Sequence, residues 1–204
     1  MTGPSNLEAD AQDRNVGYVM DVVWQGHWRV QQDIRGRIMS KPPRHTWIAA
    51  AAASIGGINR LTLTLPSALA VLAMSLLVLE IGRRRYGPWA GGLAALTVVL
   101  APMMSKHIAL VRTDALFALV VALGAFAAQR AWERGGGWAQ FWFWAALATL
   151  IKGPLGLVLA AMGLLAWFWE RRSDPATPPL SGSHWVGLGL FLLLVLGWLL
   201  PALL

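Results

Sequence analysis

From Leu61 to the end of the chain, apolar runs follow one another at about 61–82, 88–105, 114–129, 138–151, 155–169 and 185–204, separated by short, mostly charged joints. Such a pattern leaves few ways to fold. In hydrocarbon every backbone NH and C=O needs a partner inside the protein, and for separate runs the helix is the form that supplies one. Composition agrees, because 56% of the 204 residues are hydrophobic and only 13% are charged, about half the charged fraction of an ordinary soluble domain. The sequence therefore reads as an all-α, multi-pass transmembrane helical protein with about six spans. The middle runs are shorter than the ~20 residues a crossing requires, so they are expected to start or end inside protein or beside a water-filled cavity. Pro66, Pro88 and Pro154 fall at span starts, where proline is tolerated, and Gly91, Gly92, Gly153 and Gly156 allow helices to approach closely.

The net charge of +7 is placed in the joints rather than on one continuous face, so no nucleic-acid partner is inferred. Three joints carry Arg83, Arg84, Arg85, Arg130, Arg134, Arg171 and Arg172, whereas the alternate joints hold only Lys106, Arg112 and Lys152. By the positive-inside bias, residues 1–60, 106–113 and 151–154 lie outside the cytoplasm. The first segment nevertheless holds Arg29, Arg35, Arg37, Lys41, Arg44 and Arg60. That many cations on the translocated side suit an anionic ligand. The absence of cysteine excludes disulfides and thiolate metal sites. The first residues, MTGPSNLEADAQDRN, lack an apolar core, so at least one helix upstream of this chain is expected.

Three regions follow. Residues 1–47 form an extramembrane loop containing an amphipathic interfacial helix over Val16–Trp28, with Val19, Val22, Val23 and Trp24 on its apolar side. Residues 48–60 continue an alanine-rich stretch too short to cross, read as an interfacial helix, and residues 61–204 form the transmembrane domain. Trp138, Trp142, Trp144, Trp167, Trp169 and Trp185 stand near span ends, where indole rings favour the headgroup region. Trp24, Trp28 and Trp47 flank the basic stretch as surface anchors or as contacts for a lipid-linked substrate.

Candidate chemistry gathers on the non-cytoplasmic side. It comprises the acids Asp10, Asp13 and Asp21, the proline-braced Lys41-Pro42-Pro43, the joint from Lys106 to Asp114, and Thr149 to Pro154 with Lys152. Cations there can neutralise a phosphate while a carboxylate takes a proton from an attacking hydroxyl. Two readings of Asp114 stand side by side: Thr113 or Asp114 caps the following helix, or Asp114 and Arg112 serve a site. Lys152 is either a snorkelling terminal lysine or a phosphate contact.

Trp28, Lys41-Pro42-Pro43, Trp47, Arg60 with Leu65-Pro66-Ser67-Ala68, Arg112-Thr113-Asp114 and Ile151-Lys152-Gly153-Pro154 occur in an order that resembles the bacterial branch of the protein O-mannosyltransferase and aminoarabinose-transferase family. The likeness covers roughly residues 10–170. It implies the N-terminal half of a GT-C membrane glycosyltransferase in a bacterial inner membrane, multi-pass, with its active face periplasmic. Such an enzyme moves a sugar from a polyprenyl-phosphate donor to a hydroxyl-type acceptor, a lipid such as lipid A or a protein side chain.

The same resemblance implies residue roles. Lys41 matches the lysine of the KPP motif near the donor phosphate, Asp114 the aspartate that opens the helix after the second periplasmic loop and helps build the active site as a catalytic candidate, and Lys152 the lysine of a TKG-type motif in which Ile151 replaces threonine. Arg112 and Lys106 are further donor-phosphate candidates. The first-loop catalytic acid falls, by counting back from Trp28, on Ala11, leaving Asp13 or Asp10 as the candidates. A divalent ion, Mg²⁺ or Mn²⁺, is a candidate cofactor with Asp114 as its candidate ligand, although no residues stand at metal-ligand spacing. Two rival readings are a transporter or permease fragment, against which the charges gather at one rim, and a non-catalytic scaffold paralogue, to which Ala11 gives weight.

Overall fold

The computed structural model describes residues 10–39, 42–108, 110–174 and 183–203. Among them the chain forms helices α1 (Asp10–Gln25), α2 (Arg44–Gly56), α3 (Arg60–Tyr86), α4 (Pro88–Leu100), α5 (Pro102–Ile108), α6 (Asp114–Arg134), α7 (Trp138–Lys152), α8 (Pro154–Ser173) and α9 (Ser183–Leu203). They fall into two compact units, residues 1–119 and 120–204, with the division inside α6.

In the first unit, Val19 and Val22 of α1 pack against Ala49, Ala50 and Ala53 of α2, with Leu63 and Val111 closing the cluster. The alanines present only methyl groups, so the helices approach closely and Val19 and Val22 of α1 face protein, while Trp24 is exposed. This corrects the expectation that α1 turns that side to a membrane interface. Helix α3 starts from a reciprocal cap: Asn59 Oδ1 accepts from the Thr62 NH at 3.0 Å, and Thr62 Oγ1 accepts from the Asn59 NH at 3.2 Å. At 27 residues it rises about 40 Å. It ends at Gly87, whose φ of +92° is costly for any other residue, and Pro88 opens α4 one residue later. The two helices meet at Gly82 and Gly91, where a Cβ on Gly82 would lie 2.7 Å from the Gly91 backbone. Ala101, extended because proline follows, separates α4 from α5, and the pair is bent by 52°.

In the second unit Trp138, Phe141 and Trp142 of α7 form a core with Ala127, Ala131 and Phe191. Trp138 stacks on His184 with ring centroids 4.5 Å apart, and the Trp142 indole NH donates to His184 Nδ1 at 3.2 Å. Trp138 and Trp142 are therefore buried rather than placed at the headgroups, because His184 gives one a stacking partner and the other an acceptor. Trp169 and Trp185 are exposed, as ring anchors require.

The six spans expected from hydropathy are reduced. Among the described residues three helices, α3, α6 and α9, are long and apolar enough to cross a bilayer, or four if α4 and α5 count as one bent span. Helix α7, with 15 residues, rises only about 22 Å, short of a core of roughly 30 Å. Helix α8 has 20 residues, half of whose side chains lie outside the described set.

Candidate functional site

The joint before α6 has no helix or strand to satisfy its carbonyls, and two distant helices supply the donors. The Ser67 hydroxyl of α3, fully buried, is shared between Leu110 O at 3.0 Å and Arg112 O at 3.2 Å. From α1, Asn15 Nδ2 donates to Val111 O at 2.6 Å. Three consecutive carbonyls are thus held from outside, which fixes the backbone that delivers Arg112 and Asp114. Arg112 Nε then donates to Asp114 Oδ2 at 2.8 Å. Asp114 is in the first turn of α6, where the helix dipole also favours a negative charge. Both readings of this residue from sequence hold in part, since it opens the helix and also belongs to a fixed ion pair.

Helix α2 adds a neighbour that the sequence reading passed over. Pro43 precedes its first turn and accepts from the Trp47 NH at 2.8 Å. The turn carries Arg44 and His45. Burial pushes the His45 imidazole down to about 4, and the negative charge of Asp114 works in the opposite direction. His45 is accordingly neutral at physiological pH, and its Nε2 is buried with no hydrogen-bond partner among the described residues. Arg44 lies over the Trp47 ring at 5.4 Å, and its Nε is likewise buried without a partner. The available signal was a basic pair directly after the diproline, ahead of a run of alanines. Ser67 and Asn15, which position the site through backbone, carry no comparable mark in sequence.

The remaining candidates are distributed as follows. Asp10 and Asp13 lie in the first turn of α1, and their side chains are outside the described residues. Position 11, occupied by alanine, stands one helical turn before Asn15 on the same side of α1. Lys41 lies outside the described residues, two positions before Pro43. Lys106 is exposed on α5. Lys152 closes α7 in the second unit, where Gly153 (φ +67°) turns the chain and its NH donates to Thr149 O at 2.7 Å.

No three His, Asp or Glu residues converge as a metal site among the described residues. Because the Asp114 carboxylate is already engaged by a guanidinium, the described residues do not fit a divalent ion, and no step below uses one. What the arrangement offers is a fixed cation–anion pair whose acid acts on the neutral, unspent imidazole of His45, with the Arg44 guanidinium one residue earlier on α2. Those groups can bind and orient a phosphate or a hydroxyl.

A family model described as dolichyl-phosphate-mannose-protein mannosyltransferase matches residues 40–200. Among solved structures, ArnT from Cupriavidus metallidurans is similar in its apo state, with TM-score 0.76 and 21% identity, and bound to undecaprenyl phosphate, with TM-score 0.77 and 22% identity. Each alignment covers 94% of this chain and 36% of that one, so the chain spans about a third of ArnT's length. No curated protein sequence matches it.

Proposed function

The chain belongs to the dolichyl-phosphate-mannose-protein mannosyltransferase family, with an all-α, multi-pass membrane fold of the GT-C type, and on that premise we propose that it forms part of a polyprenyl-phosphate-sugar-dependent glycosyltransferase. The reaction takes place at the periplasmic face of a bacterial inner membrane. One observation carries the reading. Asn15 of α1 and Ser67 of α3 grip the same three-residue segment, so the acid-bearing start of α1 and the Arg112–Asp114 pair are built into one unit.

In the proposed step a carboxylate from the first turn of α1, Asp13 or Asp10, removes the proton of the acceptor hydroxyl. The acceptor oxygen forms a bond to the anomeric carbon as the bond from that carbon to the phosphate oxygen breaks. Polyprenyl phosphate departs with the electron pair and the anomeric configuration inverts. Lys41, Arg112 and Lys106 neutralise the growing phosphate charge, the kind of preorganised electrostatics that dominates transfer reactions. Asp114 orients Arg112 and keeps the guanidinium aimed.

The test uses the full-length protein in membrane vesicles, with undecaprenyl phosphate as the binding probe and a panel of polyprenyl-phosphate sugars as donors. Asp13→Asn or Asp10→Asn is expected to retain undecaprenyl-phosphate binding and lose transfer by about 10²-fold or more, the usual worth of a general base. Lys41→Gln and Arg112→Gln are expected to weaken binding itself. Unchanged transfer in all of these, with normal membrane insertion, refutes the assignment. Lys152→Gln in the same assay reports on the cation of the second unit. A second reading, a non-catalytic paralogue, rests on Ala11, the position at which counting back from Trp28 puts the first-loop acid; it predicts binding without transfer in the unaltered protein.

A further inference from the structure

Between α1 and α2 the chain makes a tight hairpin whose alternation is inverted. Gln32 and Ile38 pair as an isolated antiparallel bridge, with the Asp33 NH donating to Arg37 O at 3.0 Å and the Met39 NH to Gln31 O at 2.9 Å. In an extended pair successive residues take opposite sides, and residues directly opposite share a side. Gln31 and Asp33 take the inner side and are 0% and 7% exposed, whereas Ile34 and Ile38 take the outer side and are 74% and 64% exposed. Polar residues thus face the protein and branched apolar ones face away. In water the reverse arrangement is the stable one.

The inversion is built, not frayed. Asp33 Oδ1 accepts from the NH groups of Arg35 and Arg37 at 2.9 and 2.8 Å, and its Oδ2 accepts from Arg37 Nε at 2.7 Å. Asp21 of α1 accepts from the Gln32 NH at 2.9 Å. Gly17 seats the hairpin on α1, since a Cβ there would come within 3.0 Å of the Ile34 nitrogen and 3.2 Å of its side chain. The Gln31 amide donates to the Trp28 carbonyl at 2.7 Å, which also receives the Trp47 indole NH at 2.6 Å. A tip held by this many bonds keeps its isoleucines outside for a reason other than slackness.

We infer that the Ile34–Ile38 tip is a membrane-docking element that inserts its two isoleucines into the interfacial layer of a leaflet containing anionic phospholipid, with Arg35 and Arg37 at the headgroup phosphates. Charge complementarity supports this occupant, because Arg35 and Arg37 stand exposed between the two exposed isoleucines and Asp33, paired through Arg37 Nε, offsets only one of them, which leaves the tip net positive. Continuity supports it too. Helix α2 passes into the membrane helix α3 through residues 57–59 alone, and α1 packs on α2, so the layer carrying the tip is tied to the surface from which α3 starts. Trp24 in the last turn of α1 and Trp28 on the connection, both exposed, have the amphipathic rings that favour that depth. The inference is independent of the proposed transfer chemistry.

These 204 residues hold no cysteine, so once any cysteine elsewhere in the full-length protein is replaced by serine, Ile34→Cys and Ile38→Cys each create a unique labelling site. Nitroxide-labelled variants are reconstituted in phosphatidylcholine vesicles with and without phosphatidylglycerol, and the label's access to oxygen and to a water-soluble nickel chelate is compared. The expected result is high oxygen access and low chelate access at both positions in the anionic vesicles, with shallower insertion in phosphatidylcholine alone. Arg35→Glu is expected to remove that difference. High chelate access in both vesicles would show a solvated tip and overturn the inference. Low access to both reagents would show a tip covered by protein, a second copy or another part of a longer chain, and would equally overturn it. Equal depth in the two vesicles overturns the role of the arginines.

Discussion

Lowering the pH should destabilise this protein first through His45. Its imidazole is held at about 4 in the folded protein against 6.5 when unperturbed, chiefly by burial. The sign follows from proton counting: between these two values the unfolded chain binds more protons than the folded one, so stability is lost as pH falls from 6.5 toward 4. At 1.36 kcal/mol per pH unit the loss approaches about 3 kcal/mol, most of it developed by about pH 4.5. Paired unfolding measurements in detergent on the wild type and on His45→Gln, at neutral pH and near pH 4.5, isolate the contribution from the other titrating groups. The wild type should lose about 2.4 kcal/mol more than the variant across that interval. Asp114→Asn should steepen the wild-type dependence, because it removes the one charge that favours the imidazolium. Parallel pH curves for wild type and His45→Gln would refute the reasoning.

Three further outcomes follow from the geometry. Ser67→Ala strips the shared donor from two carbonyls in a buried setting and should cost about 1–3 kcal/mol, with loss of transfer in the full-length protein exceeding any loss of insertion. Gly91→Ala places a Cβ 2.6 Å from the Leu79 carbonyl and the Arg83 nitrogen, backbone atoms that cannot step aside, so a penalty of about 1–3 kcal/mol should appear as reduced protease resistance of the α3–α4 pair. Burial raises the Asp33 carboxyl, but the backbone NH and guanidinium of Arg37 and the NH of Arg35 outweigh it and hold the group below the ordinary 3.8. The order of the hairpin is therefore retained above that value and lost as pH falls through the lower folded one. A nitroxide at Ile34→Cys should sharpen its spectrum only in that acid range.

Helix identity was plain in the sequence because each apolar run is long and each break has a chemical cause, such as Gly87-Pro88 or the Gly153-Pro154 turn. The number of crossings was not, since hydropathy cannot separate a run that faces lipid from one, like Trp138–Lys152, whose bulky side chains are consumed by a partner helix. Amphipathicity misled in the same way at α1: Val19 and Val22 mark an apolar side, but only the alanines of α2, far along the chain, decide that protein covers it. In the candidate site Arg112 and Asp114 were visible as charges at a helix start. Ser67 and Asn15 act on backbone carbonyls more than forty and ninety residues away, a relation to which local spacing gives no clue. His45 stood in plain view, and only its burial beside Asp114 marks it out.

The one-residue joint at Gly87 bears on how the protein is made. With 13 residues, α4 rises about 20 Å and cannot reach across the hydrocarbon unaided. Its glycine seam with α3 means that it enters the bilayer leaning on a helix already there. Integration of the two as one hairpin is the expected outcome, and a spacer lengthened at position 87 should leave α4 stranded at the surface while α3 still crosses.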